Sequence, residues 1–247
     1  MNLRQFVDAE LKAGLKTGLC IGAALLALIF WRHERQPAPL PAAAAPAATS
    51  QPLALRRQLD LGDEAAAIDV RRLAQWVVDT GDNGGRSFVL VDKRDAKVFV
   101  FESGGRLVGA TPVLLGFAVG DDTVPGIASR PLSEIRPEER TTPAGRFVSQ
   151  AGRNAEHEEV VWVDYAAAVS MHRVRLIHAS ERRLQRLASP TAADNRISAG
   201  CINVPVAFFE NVLWPRLGNG RQGVVYVLPE TRPLAEVFPA LRTTPAS

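Results

Sequence analysis

The chain has 247 residues, 47% hydrophobic and 22% charged, with a formal net charge of +3. That composition excludes disordered and collagen-like material, and the length allows one or two domains. Arginine greatly outnumbers lysine, yet there is no basic run and no recognisable nucleic-acid module, so no nucleic acid is expected as a partner. The mild basic excess suits an anionic polymer or a membrane surface instead.

In chain order, residues 1–12 are a short N-terminal stretch read as cytoplasmic. From Ala13 to Trp31 the chain is apolar except for Lys16. A helix of that length, at about 1.5 Å per residue, spans roughly 28 Å, close to the hydrocarbon core of a bilayer. Trp31 and Arg32 mark its far interface, and the basic residues before it bias the N-terminus weakly to the cytoplasmic side. A cleaved signal peptide is the alternative, with Ala42–Ala45 as small residues for cleavage, but bulky Phe30 and Trp31 and charged Arg32 intervene. An uncleaved anchor is therefore preferred. Residues 32–62 form a linker whose Pro/Ala-rich core, Gln36–Leu53, builds no hydrophobic interior and reaches on the order of 50 Å as a semi-extended spacer.

Residues 63–85 read as a helix leading into the domain. Over Asp63–Val78, Ile68, Leu73, Trp76 and Val77 recur at amphipathic spacing before the breaker cluster Thr80–Gly85. The domain itself spans 86–229. Phe88–Asp92 and Lys97–Phe101 flank a polar turn and are rich in valine and phenylalanine, as strands are; Leu107–Val113 follows. Gly120–Arg140 has little periodicity and reads as a long surface loop or lid. Val160–Val163 and Ala168–Val174 form another strand pair, Glu181–Leu187 and Val206–Leu213 short helices, and Val224–Leu228 a closing strand. Residues 230–247 are left as a C-terminal tail. The sum is a mostly β domain with short helices, preceded by a transmembrane helix.

The chemistry concentrates in Ser198-Ala199-Gly200-Cys201-Ile202-Asn203. Cys20 is the other cysteine and lies in the apolar N-terminal segment, so Cys201 has no disulfide partner within its chain. A lone thiol there is a small buried hydrophobe, a group that pairs between chains, or a nucleophile. A nucleophile needs a base, because an unperturbed thiol is only a few per cent thiolate at neutral pH, and histidine is the usual one. Gly200 permits close backbone approach, so that amides at Gly200 and Cys201 would face a developing oxyanion. A zinc site from His172, His178, Asp194 and Cys201 lacks recognisable ligand spacing, so neither metal nor cofactor is expected.

This segment resembles the catalytic motif of the L,D-transpeptidase (YkuD-type) family: Ser/Thr, His, Gly, Cys, a hydrophobic residue, then Asn or Arg, with a catalytic histidine upstream. Thr142-Pro143-Ala144-Gly145-Arg146-Phe147 matches the family's Thr-Pro-x-Gly-x-Phe element, and Phe88–Gly116 looks like its opening strands. The resemblance covers Phe88–Pro229. Two departures stand out. The family's histidine before the glycine is Ala199 here, and neither upstream histidine has the usual mid-teens gap to the Ser/Thr. His178 leaves 19 intervening residues before Ser198 and His172 leaves 25. His172 is preferred, because Val169–Val174 is a credible strand that would hold it rigidly. It also resembles variant members with a longer insert, matched here by Glu181–Leu184 and Asn195–Ser198. His178 stays as the alternative base.

The resemblance implies a sandwich- or barrel-like β fold and a cysteine acyltransferase. The enzyme would act on peptidoglycan stem peptides from the periplasmic or wall-facing side of a bacterial inner membrane, or as a secreted protein if a signal is cleaved. Cys201, His172, Gly200 and Ser198 are the implied catalytic set. Asn203, Arg196 and Arg173 are expected to bind substrate, within a group that also holds Arg175, Arg182, Arg183 and Arg186; guanidinium groups pair bidentately with the carboxylates of a stem peptide. A cysteine hydrolase or carboxypeptidase of the wall, and a non-catalytic wall-binding protein on the same fold, remain open alternatives. Sequence alone leaves the oligomeric state undetermined.

Overall fold

A computed structural model describes residues 58–242. The expected anchor and the Pro/Ala-rich run lie outside the described residues, among which no helix is long and apolar enough to cross a membrane.

The first element, α1 (Ile68–Thr80), buries Val70, Leu73, Ala74, Val77 and Val78, one stripe at helical spacing. Gly81 ends it in the left-handed region (φ 68°) and donates its N–H to the Val77 carbonyl, the usual role of a C-terminal glycine. Ile68, taken from sequence as part of the apolar stripe, is exposed instead. Two residues before Val70, it lies about 200° round the helix from it, on the opposite face.

The strands follow as β1 (Phe88–Asp92), β2 (Lys97–Phe101), β3 (Leu107–Pro112), β4 (Leu115–Gly116), β5 (Gly145–Val148), β6 (Gln150–Arg153), β7 (Glu159–Asp164) and β8 (Val169–Arg173). After a short helix, α2 (Arg183–Leu187), come β9 (Arg196–Ser198) and β10 (Ile202–Val204). A further helical stretch begins at Val206, passes through a π turn at Phe209–Leu213 and ends at Leu217; β11 (Val224–Val227) closes the series. Two larger sheets result, in the orders β3-β2-β1-β11-β5 and β10-β8-β7-β6, with β4 and β9 as a small parallel pair.

Alternation explains the layers. In the five-stranded sheet Phe88, Leu90, Phe99, Phe101, Val224 and Tyr226 point toward α1, while Val89, Val91, Val98, Val100, Val225 and Val227 point toward the second sheet. Both faces are covered, so these strands read as continuous apolar runs. The aromatic face meets the helix, with Phe88 stacked on Phe101 at 4.7 Å. The valine face meets Val161, Met171, Ile202 and Val204 of the other sheet.

The architecture is thus mixed sheets with short helices. That agrees with the expected mostly β domain with short helices, and β1–β11, β8–β10 and β4–β9 pair in parallel within it. The expected C-terminal tail is also corrected: Leu234, Phe238 and Leu241 are buried in the core beneath α1. Three single apolar residues among prolines and charges gave too short a pattern to read. Gly120–Arg140 is a chain of three short 3-10 turns, and Ile127 and Ile135 anchor it in the inter-sheet core.

Candidate active site

The site forms where β8 and β10 run side by side. Alternation on β8 sends Val169 and Met171 into the core, which leaves Ser170 and His172 on the other face. β10 pairs with β8 in parallel, Ile202 opposite Met171 and Asn203 opposite His172. The residue entering β10 is Cys201, so register alone delivers its sulfur to the Ser170/His172 face.

The sulfur is held by several groups. His172 stands on the same face of the adjoining strand, where its imidazole acts on the sulfur. The Ser170 hydroxyl lies 3.8 Å from Sγ, and the thiol donates to the Ala168 carbonyl at 3.5 Å. His172 Nδ1 is 2.8 Å from the Arg173 carbonyl. A carbonyl only accepts, so Nδ1 carries the proton and Nε2 is the nitrogen available to the sulfur. Burial by itself would push the Cys201 thiol up. The His172 hydrogen bond and charge, with the Ser170 amide and hydroxyl, outweigh it and bring the thiol below its ordinary range. Burial likewise opposes the His172 cation, but the sulfur and the Arg173 carbonyl win and raise the imidazole. Each partner favours the ionised state of the other, which is how a thiolate–imidazolium pair forms.

The turn that carries Cys201 is braced from three sides. Ser198 Oγ donates to the Cys201 carbonyl at 2.6 Å and accepts the Gly200 N–H at 3.1 Å. Asn203, almost fully buried, donates Nδ2 to that carbonyl at 3.2 Å and accepts Arg183 Nη1 at 2.6 Å. Thr142 donates its hydroxyl to the Gly200 carbonyl at 2.8 Å. Gly200 adopts φ 135°, and a side chain there would sit 2.8 Å from the Thr141 carbonyl, so conformation and space both require glycine. The Gly200 amide, expected as an oxyanion donor, is already given to Ser198. Among the described residues nothing accepts the Cys201 N–H.

The arginines sort differently from expectation. Arg196 points away from the turn into a buried ionic network: it binds the Lys93 carbonyl at 2.8 Å and pairs with Glu230, while Lys93 Nζ binds Asp121 at 2.8 Å and Glu230 at 3.5 Å. Arg173 lies over the Phe209 ring at 4.4 Å and is committed to Glu159 and Glu210, each at 3.1 Å. Neither is free to take a substrate carboxylate. Their sequence neighbours mislead because β8 and β9 alternate, sending adjacent residues to opposite faces. Arg183, from α2, is the arginine joined to the cysteine turn, through Asn203. His178 is exposed on the turn before α2, whereas His172 shares the strand face to which register brings the sulfur.

A cleft of about 410 Å³ opens on one side of His172, lined by Glu158, Glu159, Arg175, Leu176, Ile177 and Val206; Cys201 is not part of its lining. Among the described residues no group of three or more His, Cys, Asp or Glu is placed to hold a metal ion. Three contributors to the site lacked an assigned role in the sequence reading: Ser170, Thr142 and the Ala168 carbonyl. Ser170 was findable, since it stands two residues before His172 on the same strand face. Thr142 stood in a recognised element, but its contact with Gly200 is purely tertiary.

No protein-family model matches the chain, and no curated protein matches it. Among solved structures it is similar to an L,D-transpeptidase of Enterococcus faecium, at 18% identity over 58% of this chain and 50% of that one, with a TM-score of 0.33. It is similar to the helical cell shape determining protein of Campylobacter jejuni, at 13% identity, 68% and 58% coverage and a TM-score of 0.38. It is also similar to an L,D-transpeptidase of Stackebrandtia nassauensis, at 15% identity, 68% and 69% coverage and a TM-score of 0.34. The chain spans about half the length of the first of these. At such identities and scores the likeness assigns neither activity nor site, and both must stand on the geometry.

Proposed function

We propose that this protein is a cysteine acyltransferase of the L,D-transpeptidase kind acting on peptidoglycan stem peptides. The observation that carries the reading is the pairing of Cys201 with His172, whose other ring nitrogen is tied to the Arg173 carbonyl. The sequence resemblance supplies the substrate class.

In this reading the Cys201 thiolate attacks the carbonyl that joins an L-centre to a terminal D-residue in a donor stem. The carbonyl electron pair moves onto oxygen, beside the Cys201 N–H. When it returns, the C–N bond breaks and the departing amine takes the proton from His172. A thioester remains. An acceptor amine then attacks it, gives its proton to His172 and releases the thiolate. With water as acceptor the same steps make a carboxypeptidase or hydrolase. Ser198 and Asn203 hold the turn, and Arg183, itself paired with Glu181, braces it through Asn203.

Intact-mass measurement after incubation with a carbapenem tests the reading. A covalent adduct on the full chain, lost in Cys201→Ala, is expected. Absence of an adduct on folded protein would favour a non-catalytic wall-binding role, for which Ala199 in place of the motif's histidine is the pointer. Muropeptide products formed with and without an added amine separate transferase from hydrolase. We further propose that Ala13–Trp31 tethers the chain to the inner membrane, the domain facing the periplasm. The full chain should then sediment with membranes and a chain lacking residues 1–31 should not; equal solubility of the two would end that proposal.

A further inference from the structure

We propose that Thr142 is a positioning residue that aims the Cys201 amide at the oxyanion, an inference that rests on Cys201 acting as an acyl acceptor. Thr142 is fully buried, and its hydroxyl is used in both directions: it accepts the Gly116 N–H at 2.9 Å and donates to the Gly200 carbonyl at 2.8 Å. The second bond has a consequence for the reaction. The Gly200–Cys201 peptide is planar and trans, so fixing its C=O toward Thr142 directs its N–H the opposite way. That N–H belongs to the nucleophile's own residue and has no acceptor among the described residues. With the Gly200 amide given to Ser198, it is the donor the turn leaves for a developing oxyanion.

The clamp is built rather than incidental. Two glycines let the backbone around Thr142 approach from either side: a side chain at Gly200 would sit 2.8 Å from the Thr141 carbonyl, and one at Gly116 would sit 2.5 Å from the Arg140 carbonyl. Lys93 Nζ, itself buried, donates to the Thr142 carbonyl at 2.9 Å and fixes the other end of the residue. Among the described residues nothing else binds the Gly200 carbonyl, so without the hydroxyl glycine leaves the Gly200–Cys201 plane free to rotate.

Two reactions at one sulfur separate this role from a merely structural one. Alkylation by iodoacetamide needs the thiolate but forms no oxyanion. Acylation by a carbapenem does: the Sγ–C bond forms as the carbonyl pair moves to oxygen, then the lactam C–N bond breaks and its nitrogen takes the proton held by His172. Thr142→Val removes the hydroxyl and keeps the shape, whereas Thr142→Ser keeps the hydroxyl. In Thr142→Val the acylation rate should fall about 10- to 100-fold, somewhat less than loss of an oxyanion donor outright. Alkylation should change less than about twofold, the thiolate being set by His172 rather than Thr142, and Thr142→Ser should recover acylation. If alkylation and acylation fall together, or if Thr142→Val acylates as fast as the parent protein, Thr142 has no such role even though Cys201 remains the nucleophile. If the parent protein itself gives no Cys201-dependent adduct, the acyltransferase reading fails and this inference goes with it.

Discussion

Two polar clusters sit close to the cysteine turn, and they are built on opposite plans. In the first, Lys93, Asp121, Glu230 and Arg196 satisfy one another. The Lys93 ammonium binds the Gly120 carbonyl, Asp121 and the Thr142 carbonyl, while Asp121 accepts from the amides of Glu230, Thr231 and Arg232. In the second, around Cys201, imidazole and thiol each favour the other's ionisation, and among the described residues the Cys201 N–H has no acceptor. Saturation marks a cluster that holds the fold, because a charge with every bond filled has nothing left to offer a ligand. A deficit, held rigidly, marks the one prepared for chemistry.

Removing His172 should break the contrast most severely. His172→Ala is expected to lower carbapenem acylation by about 10²- to 10⁴-fold, the span of a general acid–base contribution. It should also change the pH dependence of alkylation. In the parent protein the thiol lies below its ordinary value, so the inflection of alkylation should come at a lower pH than for an ordinary thiol. Without the imidazole, only Ser170 opposes burial and the inflection should move upward. Rates of iodoacetamide labelling across pH measure both. His178→Ala is the control, with labelling expected to stay within about twofold, as for a surface side chain away from the sulfur; a large effect there would exchange the two histidines.

The saturated cluster should fail by unfolding. Lys93→Met leaves Asp121 without its buried ammonium and Glu230 with Arg196 alone, a loss of about 3–5 kcal/mol for a broken buried pair, read as a drop in denaturation midpoint. Burial would raise the Asp121 carboxyl, but Lys93, Thr231 and the surrounding amides hold it well below the usual carboxylate range. A depressed carboxyl stabilises the fold above its unfolded-state pKa, and that stability is lost as pH falls through the folded value. The parent protein should therefore lose stability steadily below about pH 4. Lys93→Met should show a shallower acid dependence, and an unchanged one would mean that the network is not what acid dissolves.

Much of this was legible along the chain. Strands β1, β2, β7, β8 and β11 and helices α1 and α2 follow from alternation, helical spacing and breaker residues, and these are local properties. The Gly-Cys turn declared itself too, because thiol chemistry requires a particular neighbourhood. Strands β5, β6, β9 and β10 were not read as elements: they are three or four residues long, and Gln150–Arg153 is polar enough to pass for loop.

By itself the sequence determined which residues could carry chemistry, Cys201 and a histidine upstream, and which segments would be buried. Only tertiary structure set the cysteine turn beside the His172 face and left His178 exposed, paired Arg196 and Arg173 with glutamates, brought Arg183 and Thr142 to the turn, and gave the Gly200 amide to Ser198. The physical reason is common to all of these. Side-chain type is written at each position, but facing direction depends on strand register, and the parallel pairing of β8 with β10 is fixed only when the two apolar faces meet across the core.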